Sequence, residues 1–94
     1  MPVMHFHVRW PDQTETRCYS PSLVVQDYLQ VGHSYPLNDF LQRTREALNI
    51  ASERVRAKHG FACSQAMDQL ADIESLAEPH RSHAGAQVLV TAFS

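Results

Sequence analysis

The run Leu37–Lys58, LNDFLQRTREALNIASERVRAK, constrains the fold more than any other stretch of this chain. Leu37, Phe40, Leu41, Thr44, Ala47, Leu48, Ala51 and Val55 recur at spacings of three and four, the pattern of a helix with one apolar stripe. Such a helix has one dry side and one wet side, so it must lie on something. The rest of the chain has to supply that surface, and both of its ends read as β-strands.

Val3–Trp10 alternates. Met4, Phe6, Val8 and Trp10 share one face; Val3, His5, His7 and Arg9 share the other. This period of two describes a half-buried strand. Pro11-Asp12-Gln13 is a turn, with proline presetting φ and aspartate able to bond the backbone beyond it. Thr14–Tyr19 is a second strand, rich in β-branched and aromatic residues. A three-residue loop sets Trp10 opposite Thr14. Val8 then faces Thr16 and Phe6 faces Cys18 on the core side. Arg9 faces Glu15, His7 faces Arg17 and His5 faces Tyr19 on the outer side, and the Arg9–Glu15 pair is a favourable one.

Ser20-Pro21 suggests a helix start, giving a short helix over Pro21–Leu29. Val31–Tyr35 reads as a connector, and Pro36 as part of the long helix's first turn. Gly60 fits a left-handed position closing that helix, with Phe61 as its hydrophobic contact. A third helix runs from Cys63 or Ser64 to about Ala77 and stops at Pro79. Glu78–Gly85 is polar and reads as a mobile tract. Ala86–Phe93 is a last strand whose facing is open: Val88 and Val90 could point inward, or Leu89 and Phe93.

The expectation is a single α+β domain over residues 1–94. It has a three-stranded antiparallel sheet of order 2-1-3, element order ββαααβ, and helices packed on one face. The uncovered face carries His5, His7, Arg9, Arg17 and Tyr19, joined by Leu89 and Phe93 from the last strand. Faces that mix Arg and aromatic residues in this way suit interfaces. These seven residues are the interface candidates, with a homo-oligomer or a protein partner as the occupant.

Eight Lys plus Arg against ten Asp plus Glu give a formal net charge of −2. That balance argues against nucleic acid or an anionic membrane as a partner. No apolar run approaches the roughly 18 residues of a membrane span, and the opening stretch lacks a signal peptide's regions, so a cytoplasmic protein is expected. Two cysteines make no disulfide framework.

Several segments together resemble a family. They are Met4-His5-Phe6, Val8-Arg9-Trp10-Pro11-Asp12, Cys18-Tyr19-Ser20-Pro21-Ser22, Ser34-Tyr35-Pro36-Leu37, Ile50-Ala51-Ser52-Glu53-Arg54-Val55-Arg56 and Gly60-Phe61-Ala62-Cys63-Ser64. The chain is similar along most of its length to small bacterial nitrogen starvation response proteins. Those are encoded in gene clusters beside a nitrilase, a radical-SAM protein and other enzymes. Gln13 departs from the glycine expected after Pro-Asp. The resemblance implies a physiological context and brings no catalytic residues or cofactor with it.

Candidate chemistry is sparse. His5 and His7 share a strand face, but two imidazoles fall short of the three or four ligands a zinc site needs, so no metal is expected. His80 and His83 fall in the polar tract. An exposed proline amine after Met1 could serve as a base, but enzymes that use one run strand–helix–strand, unlike this chain. Cys63, near a helix start, would have its thiolate favoured by the dipole. Trp10 and Tyr35 could line an aromatic groove. The leading expectation is a non-enzymatic accessory or interaction protein. The alternative is a small enzyme or ligand-binding domain using Cys63 or an aromatic groove around Trp10 and Tyr35.

Overall fold

The computed structural model describes residues 3–61 and 64–94. The long helix, α1 (Leu37–His59), buries Leu37, Phe40, Leu41, Thr44, Ala47, Leu48, Ala51 and Ser52. All but the last belong to the stripe read from the sequence. Beneath it lies the hairpin of β1 (Met4–Arg9) and β2 (Glu15–Ser20), with the expected register at every pair from Arg9–Glu15 to His5–Tyr19. The loop closes with Trp10 N–H donating to Thr14 O at 2.8 Å. Asp12 Oδ1 accepts from Thr14 N and from Thr14 Oγ1 at 3.1 and 2.6 Å. These two bonds hold the Asp12 carboxyl below its ordinary pKa, the hydroxyl contributing most. Gln13 sits at φ 73°, the left-handed position where glycine was expected.

Among the described residues the sheet has four strands, not three. β3 (Ser34–Pro36) lies inside what reads as a connector and pairs antiparallel with β4 (Gln87–Phe93), giving the order β2-β1-β4-β3. The last strand does pair with the first, as expected. Three residues ending in proline carry no alternation, so this strand is made by its partner rather than by local pattern.

Among the described residues two α-helices form, α1 and α2 (Ser64–Ala77), and the short helix after β2 is a 3-10 turn over Leu23–Asp27. Its cap is Ser22 rather than Ser20, Oγ accepting from Val24 N at 3.3 Å. The Val24-Val25 pair disfavours a longer α-helix at that point. Pro36 stands just outside α1, extended at φ −52° and ψ 143°. Gly60, at φ 85°, closes the helix as expected, its N–H donating to Arg56 O at 2.8 Å. Phe61 makes no buried contact there; it is 70% exposed.

A bulge settles the facing of β4. Val8 pairs with Val90, but His7 pairs with Ala92 and Phe6 with Phe93, so Thr91 is the extra residue. Its hydroxyl donates to His7 O at 3.2 Å. Before the bulge Val88 and Val90 face the helices; after it Phe93 does, packed against the core. Leu89 keeps the outer position. The first half of the sequence alternative therefore holds for both Val88 and Val90, and the second for Phe93 alone, because the strand changes phase midway.

The arginines on the two flanks of α1 bind neighbouring elements. On one flank Arg43 donates to Asp39 Oδ2 at 2.9 Å and Tyr28 O at 3.1 Å, and Arg54 reaches Ser22 Oγ at 3.1 Å. On the other, Arg45 joins Glu74 of α2 at 3.1 Å. The Asp39 bond raises the Arg43 pKa above its ordinary value.

Thr44 Oγ1 is buried with no hydrogen-bond partner among the described residues. A stranded hydroxyl costs about 1–3 kcal/mol. Thr44→Val should therefore raise the urea midpoint by about 1 kcal/mol of stability, and an unchanged or lower midpoint would show that the hydroxyl is satisfied. Gln13→Gly should also stabilise, by roughly 0.5–1 kcal/mol, because glycine adopts positive φ without the Cβ penalty. The same urea titration reads it.

Candidate functional site

The outer face of the sheet is built in rows. Glu15, Arg9, Leu89 and Ser34 form one; Arg17, His7 and Ala92 another; Tyr19 and His5 a third, extended by Ser94 through paired backbone bonds to His5 at 2.8 and 2.9 Å. Arg9 and Glu15 are 3.8 Å apart. Arg17 Nη2 is 3.3 Å from His5 Nδ1, the His5 and Tyr19 rings meet edge to face at 6.0 Å, and His7 Nε2 is 2.8 Å from Ser94 Oγ. The His5 pKa is lowered, first by partial loss of water and then by the Arg17 and His7 charges. Six of the seven interface candidates share this face. Phe93 does not, for the bulge turns it toward the helices.

The ligand candidates separate. Trp10 is buried, its Nε1 donating to Thr16 Oγ1 at 2.9 Å and its ring edge-on to Phe40 at 5.8 Å. Tyr35 is buried further along the sheet, its hydroxyl accepting from Gln30 N at 2.9 Å. Its ring lies 4.5 Å from His33 and 5.0 Å under the Arg43 guanidinium. These groups line a polar recess of about 200 Å³ with Asp27 and Tyr28, and Trp10 has no part in it. Cys63 and the Met1-Pro2 amine lie outside the described residues. Cys18 is buried under the helices, and burial, with the Asp72 charge, pushes its thiol up to about 12.

The polar tract after α2 is built from successive turns. Glu78–His80 forms a 3-10 turn, and successive backbone bonds link His83 N to His80 O and Ala86 N to His83 O. His80 is only 7% exposed. Its ring stacks on Trp10 at 6.1 Å and 12°, and its Nε2 stands 4.0 Å from Asp12 Oδ2. Beside it opens a cleft of about 320 Å³ between this tract and the start of α1. Nothing in a polar, histidine-bearing stretch signals such burial; its position directly after Pro79 is the one local hint of order. Among the described residues, no group of three His, Cys, Asp or Glu side chains is placed to hold a metal. No helix among them is long and apolar enough to cross a membrane.

The family model of the nitrogen starvation-induced protein NitG matches residues 5–93, from the outer-face His5 to the end of β4. The chain belongs to that family. No curated protein and no solved structure matches it. Membership ties the chain to nitrogen starvation, as the segment resemblance implies.

A thiol near pKa 12 is almost wholly protonated at neutral pH, and the thiolate is the reactive form. In a Cys63→Ser variant, Cys18 should therefore stay unlabelled by Ellman's reagent at pH 8 until denaturant is added. Rapid labelling of the folded variant would mean the site opens.

Proposed function

We propose that this member of the family is a non-enzymatic accessory protein of the nitrogen starvation response, located in the cytoplasm. It works through the bare outer face of its sheet, and its occupant there is a second copy of the chain. The observation that carries the reading is the contrast between that face and the two sheet edges.

Both edges carry obstacles to strand addition. On β2 the outward-pointing Tyr19 N–H is taken by Gln69 Oε1 of α2 at 2.9 Å. The residues beside it, Glu15 and Arg17, are charged, which discourages a further strand. On the far side β3 is three residues long and ends in Pro36, which has no N–H to offer. Association by edge pairing is thus disfavoured, and the face is left.

The face suits a two-fold contact. Arg9, Arg17 and Glu15 give it both signs of charge, so a two-fold rotation can set Glu15 of one copy against an arginine of the other. Half-buried Leu89, Tyr19 and Ala92 supply apolar area among them. Strands of six, six, seven and three residues, about 4.8 Å apart and rising about 3.3 Å per residue, cover roughly 350 Å² in plan. That is about half of the ~800 Å² each partner gives to a standard interface, so the dimer is a weak one.

Sedimentation equilibrium from about 5 to 500 μM spans the range expected for such a contact. A monomer–dimer equilibrium is expected, abolished by Leu89→Asp and kept by Leu23→Asp, a control placed away from the sheet face. A monomer at every concentration, or a dimer indifferent to Leu89→Asp, would overturn the proposal.

A further inference from the structure

On the outer face of the sheet, one contact fixes the charge of its own partner. Arg17 Nη2 stands 3.3 Å from His5 Nδ1. A guanidinium has donors only and stays charged at any ordinary pH. His5 Nδ1 is therefore the acceptor, so the ring is neutral and its proton sits on Nε2. A further proton has one place to go, Nδ1 itself. Taking it removes the acceptor and sets an imidazolium against a guanidinium, two like charges in contact.

The surroundings do not offset that second charge. On this face β1 brings His7 and Arg9, and β2 brings Glu15, Arg17 and Tyr19. β3 and β4 bring Ser34, Leu89, Ala92 and Ser94, whose side chains do not titrate. Ser94 bonds the backbone of His5, at 2.8 and 2.9 Å, and its hydroxyl meets His7. Glu15 is the carboxylate of this group, and it is engaged by Arg9 at 3.8 Å. It lies four residues along the ladder from His5, roughly 13 Å away at 3.3 Å per residue. Charges that far apart on a wet surface are largely screened. The His5 pKa is accordingly held below its ordinary value, first by partial loss of water and then by the Arg17 and His7 charges.

We propose that the outer-face dimer is opened by acid, with His5 as the group that takes up the proton. The inference rests on the dimer reading and adds the regulation of that same contact. A two-fold contact presents the same face twice. While His5 is neutral, Arg17 enters the contact already bonded within its own copy. Once His5 is charged, Arg17 is released, and both copies carry an additional cation into a layer that sheds water as it closes. The monomer therefore holds the proton more readily than the dimer does. The dimer is tightest above the His5 pKa of the monomer and is lost as pH falls through it, a window beneath the ordinary histidine value of about 6.5.

Sedimentation equilibrium of the full chain at about pH 7.5 and about pH 5.5, at fixed ionic strength, brackets that window. The dimer dissociation constant should rise about tenfold from the higher pH to the lower. In His5→Asn the amide oxygen can still accept from Arg17 but takes up no proton. Its constant, whatever its size, should be the same at both pH values. The ring resonances of His5 give a second reading that does not need the dimer. In the Leu89→Asp monomer, adding Arg17→Gln should raise the pH at which His5 titrates. A wild-type dimer as tight or tighter in acid, a pH response that survives His5→Asn, or a His5 titration indifferent to Arg17→Gln would overturn the proposal. Each of these leaves the dimer itself standing, whereas a monomer at both pH values removes the two readings together.

Discussion

The structure depends on one contact, the apolar stripe of α1 laid on the even-numbered residues of β1. Phe6 and Val8 are fully buried on one side, and Phe40, Ala47 and Leu48 on the other. Burial of large apolar side chains contributes about 1.5–3 kcal/mol each. The rest of the chain is arranged around this layer. β2 and β4 flank β1 and bring Cys18, Val88 and Val90 to the same face, and α2 adds Ile73 and Ala77 at the side. The arginine flanks of α1 then fasten the segment after β2 and the second helix, so that long side chains fix the position of elements with little apolar surface of their own.

That contact explains what the sequence reveals and what it hides. The hairpin register is legible pair by pair because alternation and loop length are local properties. The helix is legible for the same reason, and so is its glycine stop. What is hidden is decided elsewhere. β3 exists because β4 presents an edge, and Ser34-Tyr35-Pro36 carries no signal of its own. The bulge at Thr91 cannot be read from β4, since it depends on how that strand fits against β1. With both parities apolar there, either phase is compatible with local pattern, and the partner strand decides between them at different points along the length.

The candidate sites divide in the same way. His5, His7, Arg9, Arg17 and Tyr19 are legible as a group because they occupy the odd positions of a well-read hairpin. Trp10 and Tyr35 look like ligand-binding aromatics by type, but one anchors the end of the hairpin and the other the edge strand. His80 illustrates the opposite error. In a polar tract it reads as solvent-exposed, yet the flat face of Trp10 offers a surface on which an imidazole can stack, and the turns after Pro79 bring it there. An aromatic residue at a strand end thus organises a loop that arrives some seventy residues later, an interaction with no local trace.

The two surfaces that remain available have different origins. The outer sheet face is bare because too little helix remains: α1 and α2 both serve the face that carries the core, and nothing is left for the other. Its edges are obstructed by a glutamine side chain and a proline, so it differs from an aggregation-prone sheet in leaving mainly side chains to meet a partner. Contacts made through side chains can be specific in charge and reversible, unlike a continued backbone ladder. The cleft has another cause. A helix that begins directly from a strand, at Pro36, has no room for a capping side chain. Its first N–H, at Leu37, is met instead by the backbone carbonyl of Ala86 in the facing loop, at 3.0 Å. The same short connection that makes β3 invisible in the sequence leaves the α1 terminus without a side-chain cap.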